Sequence, residues 1–499
     1  TIGATNALTV VNASGAGTVT LGAAIDTATL NVKLNTTVKA TDISAAEIAA
    51  INIGEVGGAG TLEINANAGD YDLLNATAIT FAHADSLLKL TNTSAAADRV
   101  VTLKGNVVPG VGVDLQGSLE INSNGTNKLD LKISAAETIG TDNAHRLKEL
   151  IVSGNKDTQI DPAIFAETIT ISSTAEVIFD KAIDSGAVST IAFTAAGNTT
   201  FNNNVTVTQM AFGDNARVAN VAAGKVLKVK SITSGAGNGS ELVLAGNGSN
   251  LVLAGAKTVA LDTITVAAAG ATNNLGRGSY TVANVALGNA TGTLELADNF
   301  KLTGAINLTA GSAGNIRFLG NGKVTGDLGS AGNAVGVVTV DGVGKTLQLG
   351  GNVNATSLNA TAGNAQNLKF INAAAKIVAG TVGNLQSFDQ IEFSGGGKLT
   401  FGAGGLTTGQ ALHFSANTEV VTDNYDLGAT NVTNAIGVNG NKLTVNADQA
   451  IAGNIGAGAH KFGELHVDAA AAANRNVSID VATFFAGVTG AKAKVIFNA

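Results

Sequence analysis

Apolar and polar residues alternate along most of this chain in runs of three to five, and each run stops at small residues. The stretch GNIRFLGNGKVTGDLG, Gly314 to Gly329, shows the grammar. Ile316-Arg317-Phe318 alternates, Gly320-Asn321-Gly322 interrupts, and Lys323-Val324-Thr325 alternates again. Alternation with period 2 predicts half-buried β-strands, because successive side chains point to opposite faces. A single strand-Asn-Gly-strand unit reads as a hairpin.

Recurrence changes that reading. VVTVDGVGKTLQLGG from Val337, NLKFINAAAKIVAGTVG from Asn367 and QIEFSGGGKLTFGAGG from Gln390 repeat the same order: a run, a small-residue corner, a Lys and a second run. Looser copies begin at Thr190 and Glu241. Ile316, Val338, Leu368 and Ile391 align as equivalent positions at intervals of roughly 22 to 30 residues, in the range of stacked coils. The pattern predicts an all-β fold, a right-handed parallel β-helix or β-solenoid. Each run turns a Gly/Asn corner and continues round a coil, and its partner is the equivalent run one coil away. Gly and Asn suit the corners because they tolerate positive φ. Val, Leu, Ile and Phe318, Phe370, Phe393 and Phe401 are expected inside, with Thr, Asn, Ser and Lys outside. Thr339 is an expected outward position.

The first third is less regular. TDISAAEIAAINIGEVG (Thr41 to Gly57) carries the capping-box spacing Ser44-x-x-Glu47, and DNAHRLKELIV (Asp142 to Val152) reads as a short helix running into a strand. Around them TLEINANAG, SLEINSNGTNKLDLKI and TITISSTAEVIFDKAI read as strands. The expected organisation is a less regular β-rich region over 1–185, with a few short helical turns, followed by regular solenoid repeats over 186–499.

Composition narrows the function. Hydrophobic residues make up 45% of the 499, enough for a core, yet aromatics are only 4% and Trp is absent, so that core is thin and backbone-dense. Net charge is −8, which disfavours nucleic acid as a partner. The densest basic run, Lys225, Lys228 and Lys230, is interleaved with Val and Leu and reads as the solvent side of one strand. With no cysteine, disulfides and thiol chemistry are excluded. No window offers about 18 apolar residues in a row, so no transmembrane helix is expected. The opening residues show no signal peptide; if the protein is exported, its signal has been removed.

Chemistry-bearing motifs are few. Gly344-Lys345-Thr346 resembles the tail of a phosphate loop, but Thr339 stands where the first Gly belongs, and the alternating run after it is a strand, so no nucleotide site is expected. Asp423 and Asp426 are too few for a calcium site, which takes six to eight oxygens. His83, His145, His413, His460 and His466 lack zinc-ligand spacing, although His460 and His466 would share a strand face. No catalytic, cofactor or metal residue is assigned, and a polysaccharide-cutting β-helix enzyme ranks last among the functions, because sparse acids and three Tyr leave little for a catalytic groove. Asn-x-Ser/Thr at Asn35, Asn198, Asn307 and Asn354 reflects composition.

In GNIRFLGNGKVTGDLG, FDQIEFSGGGKLTFGAGG and AIAGNIGAGAHKFGELHV the chain resembles the passenger region of rickettsial autotransporter surface antigens of the outer membrane protein A and B type. The resemblance is clearest from about residue 190 onward. It implies an extracellular location on the bacterial surface, a passenger released from a C-terminal β-barrel and, in some relatives, a surface layer or adhesion to host cells. The expected function is a self-assembling structural surface protein whose partner is itself, with an adhesin binding host or surface molecules as the alternative.

Overall fold

The structure is a computed structural model. It describes residues 6–468 apart from short segments (7, 23–24, 41–47, 67–70, 74–77, 95–96, 185–189, 215, 236–238, 268–271, 289–291, 310–313, 362–364, 403–404, 408–409, 423–426, 428–430, 436–437, 439, 446–448, 452–453 and 457–461), together with 477–479 and 494–498. The described residues form strands, turns and bends with no helix. Named strand pairings are all parallel, as a solenoid requires and a hairpin forbids.

The chain divides into two compact units, Thr1–Ala245 with Leu251–Asp262, and Gly246–Asn250 with Thr263–Ala499. Within the first, inward positions form three ladders. Ile164, Ile183, Val205 and Leu227 are successive partners on one; Ile169, Ile191, Met210 and Ile232 on the next; Phe179, Phe201, Val221 and Leu244 on the third. All twelve side chains are buried.

The second unit repeats the arrangement. Leu296, Phe318, Val340 and Ala360 stack on a first ladder. On a second stand Leu302, Val324, Leu349, Phe370, Phe393 and Phe414. The third carries Ile306, Leu328, Val353, Val378 and Phe401. The four phenylalanines expected inside are all buried. Phe370 and Phe393 stack with centroids 5.9 Å apart, and Phe401 from the third ladder meets Phe370 edge-on at 5.7 Å. A core this narrow is closed by a few rings reaching between ladders.

Two sequence expectations need correction. The interval from Val338 to Leu368 is not one coil: Val338 pairs with Leu358, and Leu368 with Leu347. The aligned segments therefore begin on two different faces. Ile316 and Val338 are true partners on the first, and Leu368 and Ile391 on the second. Nor does Asp142–Val152 hold a helix. Asp142 and His145 close a tight turn by an antiparallel bridge, and Leu147–Gly154 is a strand paired on both sides, with Ser118–Ser123 and Ala166–Ser173. Ladder bonds on both flanks outweigh a weak local helical preference. The capping box at Ser44 and Glu47 lies outside the described residues.

Asparagine has a role that alternation does not display. Several buried asparagines, at corners or on strands beside them, use the side-chain amide to serve turn carbonyls. Asn372 Nδ2 donates to the carbonyls of Ala374 (3.0 Å) and Gly397 (3.2 Å), and Asn273 Nδ2 donates to those of Gly246 and Ser249, each at 2.9 Å. Buried carbonyls need such partners. On the outside, Asn12, Asn31 and Asn52 form an amide ladder with 2.8 Å steps.

Candidate binding surface

Outward positions carry the polar chemistry. Lys228 and Lys230 are exposed and alternate with buried Leu227 and Val229, as the basic run indicated. Ion pairs link one coil to another. Arg317 reaches Glu295 at 3.2 Å on one side and Asp341 at 2.5 Å on the other. Its guanidinium holds the Asp341 carboxyl below the usual aspartate range. Arg146, itself buried, is clamped by Asp114 (2.6 Å) and Glu167 (2.8 Å). Burial opposes the charge on Asp114, but hydrogen bonds from Arg146 outweigh it and the carboxyl stays low.

The four lysines that recur after corners, Lys323, Lys345, Lys376 and Lys398, do not share one fate. Lys345 reaches Asp298 at 3.1 Å, Lys398 reaches Glu419 at 3.1 Å, and Lys376 lies 4.0 Å from Asp327. Lys323 meets no carboxylate among the described residues. It faces a groove enclosing about 600 Å³ in the second unit. The groove floor is the outward row of the second ladder: Lys301, Lys323, Gln348, Lys369 and Glu392, each the register partner of the next. Asn299, Asn321 and Thr346 also line it. Asn299 takes a left-handed φ of 66° in the turn above Lys301.

The groove's only carboxylate is already engaged. Glu392 accepts from Lys369 at 2.8 Å and from the Ser415 hydroxyl. Burial pushes against its charge, yet these donors hold it below the usual glutamate range. Asn321, in the lining, accepts the Thr346 backbone N–H through Oδ1 at 3.0 Å, which leaves its amide nitrogen as a donor.

The residues singled out in the sequence are scattered. Gly344-Lys345-Thr346 forms a corner with Gly344 at φ 70°, and the strand Thr346–Leu349 follows it. His83 Nδ1 accepts the Asp85 N–H at 3.1 Å within a turn; His145 pairs with Asp142 at 2.9 Å, His413 with the Thr433 hydroxyl at 2.9 Å, and His466 with Glu464 at 2.8 Å. His460, Asp423 and Asp426 lie outside the described residues. Among the described residues no three His, Asp or Glu side chains converge as a metal site, and no helix is long and apolar enough to cross a membrane. Alternation alone missed the groove. Its signal was a lysine kept at Lys301 and again one coil on at Lys323.

No family model matches the chain, and no solved structure matches it. Among curated proteins it is 30% identical over 323 residues to outer membrane protein A of Rickettsia conorii (strain ATCC VR-613 / Malish 7), covering 62% of this chain and 14% of that protein. It is 30% identical over 329 residues to outer membrane protein A of Rickettsia rickettsii, covering 62% and 13%. Against outer membrane protein B of Rickettsia rickettsii it is 30% identical over 355 residues, covering 65% and 21%. The chain spans about a seventh of the first two relatives and about a fifth of the third. The resemblance carried by its repeat motifs is thus a measured one: this chain is similar to the rickettsial outer membrane proteins A and B.

Proposed function

We propose that this chain is a structural, passenger-like part of a bacterial cell-surface protein, and that its coils assemble with further coils. Similarity to proteins named for the outer membrane supports the location. One observation carries the assembly. The strand Gly17–Leu21 pairs with Thr36–Ala40, yet Val19, at an inward position, remains exposed. Val19 is 37% exposed, whereas its register partner Val38 is fully buried beneath its neighbours. An exposed apolar side chain at an inward position is a template for another strand. That strand comes from a preceding coil of a longer polypeptide or from a second copy of this chain.

With no cysteine, the contacts are backbone hydrogen bonds and apolar packing, so reducing agent should leave the assembly intact. Sedimentation of the 499-residue chain over a concentration series tests this reading. Species larger than a monomer are expected, and Val19→Lys should reduce them by placing charge on the template. A chain that stays monomeric at every concentration contradicts self-assembly.

A further inference from the structure

We propose that the groove over Lys301 and Lys323 binds an anionic glycan, a sugar chain carrying carboxylate or sulfate groups. The inference stands on the groove alone and is independent of whether the coils self-assemble.

Two lysines in the groove stand side by side. Lys301 and Lys323 are register partners on adjacent parallel strands, about 4.8 Å apart along the ladder. Like charges directly opposite each other destabilise a sheet. Elsewhere the repeat's lysines are answered by carboxylates on other coils: Lys345 by Asp298, Lys376 by Asp327 and Lys398 by Glu419. Here, among the described residues, neither ammonium has such an answer. The groove's own carboxylate, Glu392, is taken up by Lys369 and Ser415. Two adjacent cations thus face an open groove in a chain whose net charge is −8.

The neighbouring side chains define the ligand further. The Asn321 amide nitrogen, the Gln348 amide and the Thr346 hydroxyl line the same groove without a protein acceptor among the described residues. Two ammoniums with amides and a hydroxyl alongside match an anionic group flanked by sugar hydroxyls, with one charged contact per rung. Single-stranded nucleic acid fits less well, because it needs aromatic platforms for its bases. The one aromatic in the lining, Phe300, is fully buried.

The test uses the 499-residue chain, with heparin as the sulfated probe, polygalacturonate as the carboxylated probe and dextran as the neutral one. The expected result is salt-sensitive binding of at least one anionic probe and none of dextran; which probe binds assigns the anionic group. Lys301→Gln with Lys323→Gln should weaken that binding about tenfold or more. Lys228→Gln with Lys230→Gln, at exposed sites in the other unit, should leave it unchanged. The groove variant should melt no lower than the parent, since it removes a like-charged rung. If it melts early, Lys323→Arg alone, which keeps the charge, should retain binding. Three results overturn the proposal: no binding of either anionic probe at low salt, equal loss in both double variants, or single-stranded DNA binding as tightly as the glycans.

Discussion

At the scale of single residues the fold is decided by which side of a strand a side chain occupies. Phe393 lies inward, stacked on Phe370 at 5.9 Å and packed against Phe414 at 4.9 Å, and it is fully buried. Phe393→Ala should therefore lower stability by about 3 to 5 kcal/mol in chemical denaturation. Thr339 is partly exposed between buried Val338 and Val340, so Thr339→Ala should change stability by less than about 0.5 kcal/mol. Equal effects at both positions would mean that the inward register is misassigned. Such positions were legible in the sequence, since alternation alone separates Phe393 from Glu392. The corner amides were not. Nothing in the order of residues distinguishes buried Asn372, which serves turn carbonyls, from Asn12 on the outer surface.

At the scale of elements the corners set the limits. Gly380 has φ +98°, and a Cβ there would stand 1.7 Å from the Ala355 carbonyl oxygen on the neighbouring coil. Gly344 also has a left-handed φ, +70°, but open space around it. Gly380→Ala should therefore destabilise by several kcal/mol, and Gly344→Ala by about 1 kcal/mol from backbone strain alone. Thermal melts of the two variants check this, and a smaller loss at Gly380 than at Gly344 would contradict the close approach. The same corners explain what sequence reading confused. Every face of the coil uses the same run, corner and run, so NLKF of the second ladder was aligned with VVTV of the first. At Asp142–Val152, Leu147 and Leu150 stand three apart, which mimics a helical stripe. Both are buried in a strand paired on either flank.

At the scale of the whole molecule, the outer ion pairs link neighbouring coils and make stability depend on acid. Asp341 is lowered by Arg317, and Asp114 is lowered by Arg146 against the effect of burial. A carboxyl with a depressed folded pKa contributes stability that is fully present above its unfolded value, near pH 4, and is lost as pH falls through the folded value. Melting temperature should therefore be nearly flat from pH 7 to about 5 and decline below about 4. The decline should be modest, because the carboxylates of these pairs are partly exposed and screened by solvent. A melting temperature that rises on acidification below pH 4 would reverse the assigned sign.

Assembly and the groove both presuppose that each run pairs in parallel with the run one coil away. Spin labels at Arg317 and Thr339, register partners 22 positions apart, test that pairing most directly. Exchanging Arg317 sacrifices only partly exposed ion pairs of modest worth. Strong dipolar broadening between the two labels is expected, as for neighbours about 4.8 Å apart on adjacent strands. Labels at Arg317 and Thr325, which a hairpin about Gly320-Asn321-Gly322 would bring together, should show weaker coupling. Coupling for the 317/325 pair with none for 317/339 would contradict the solenoid.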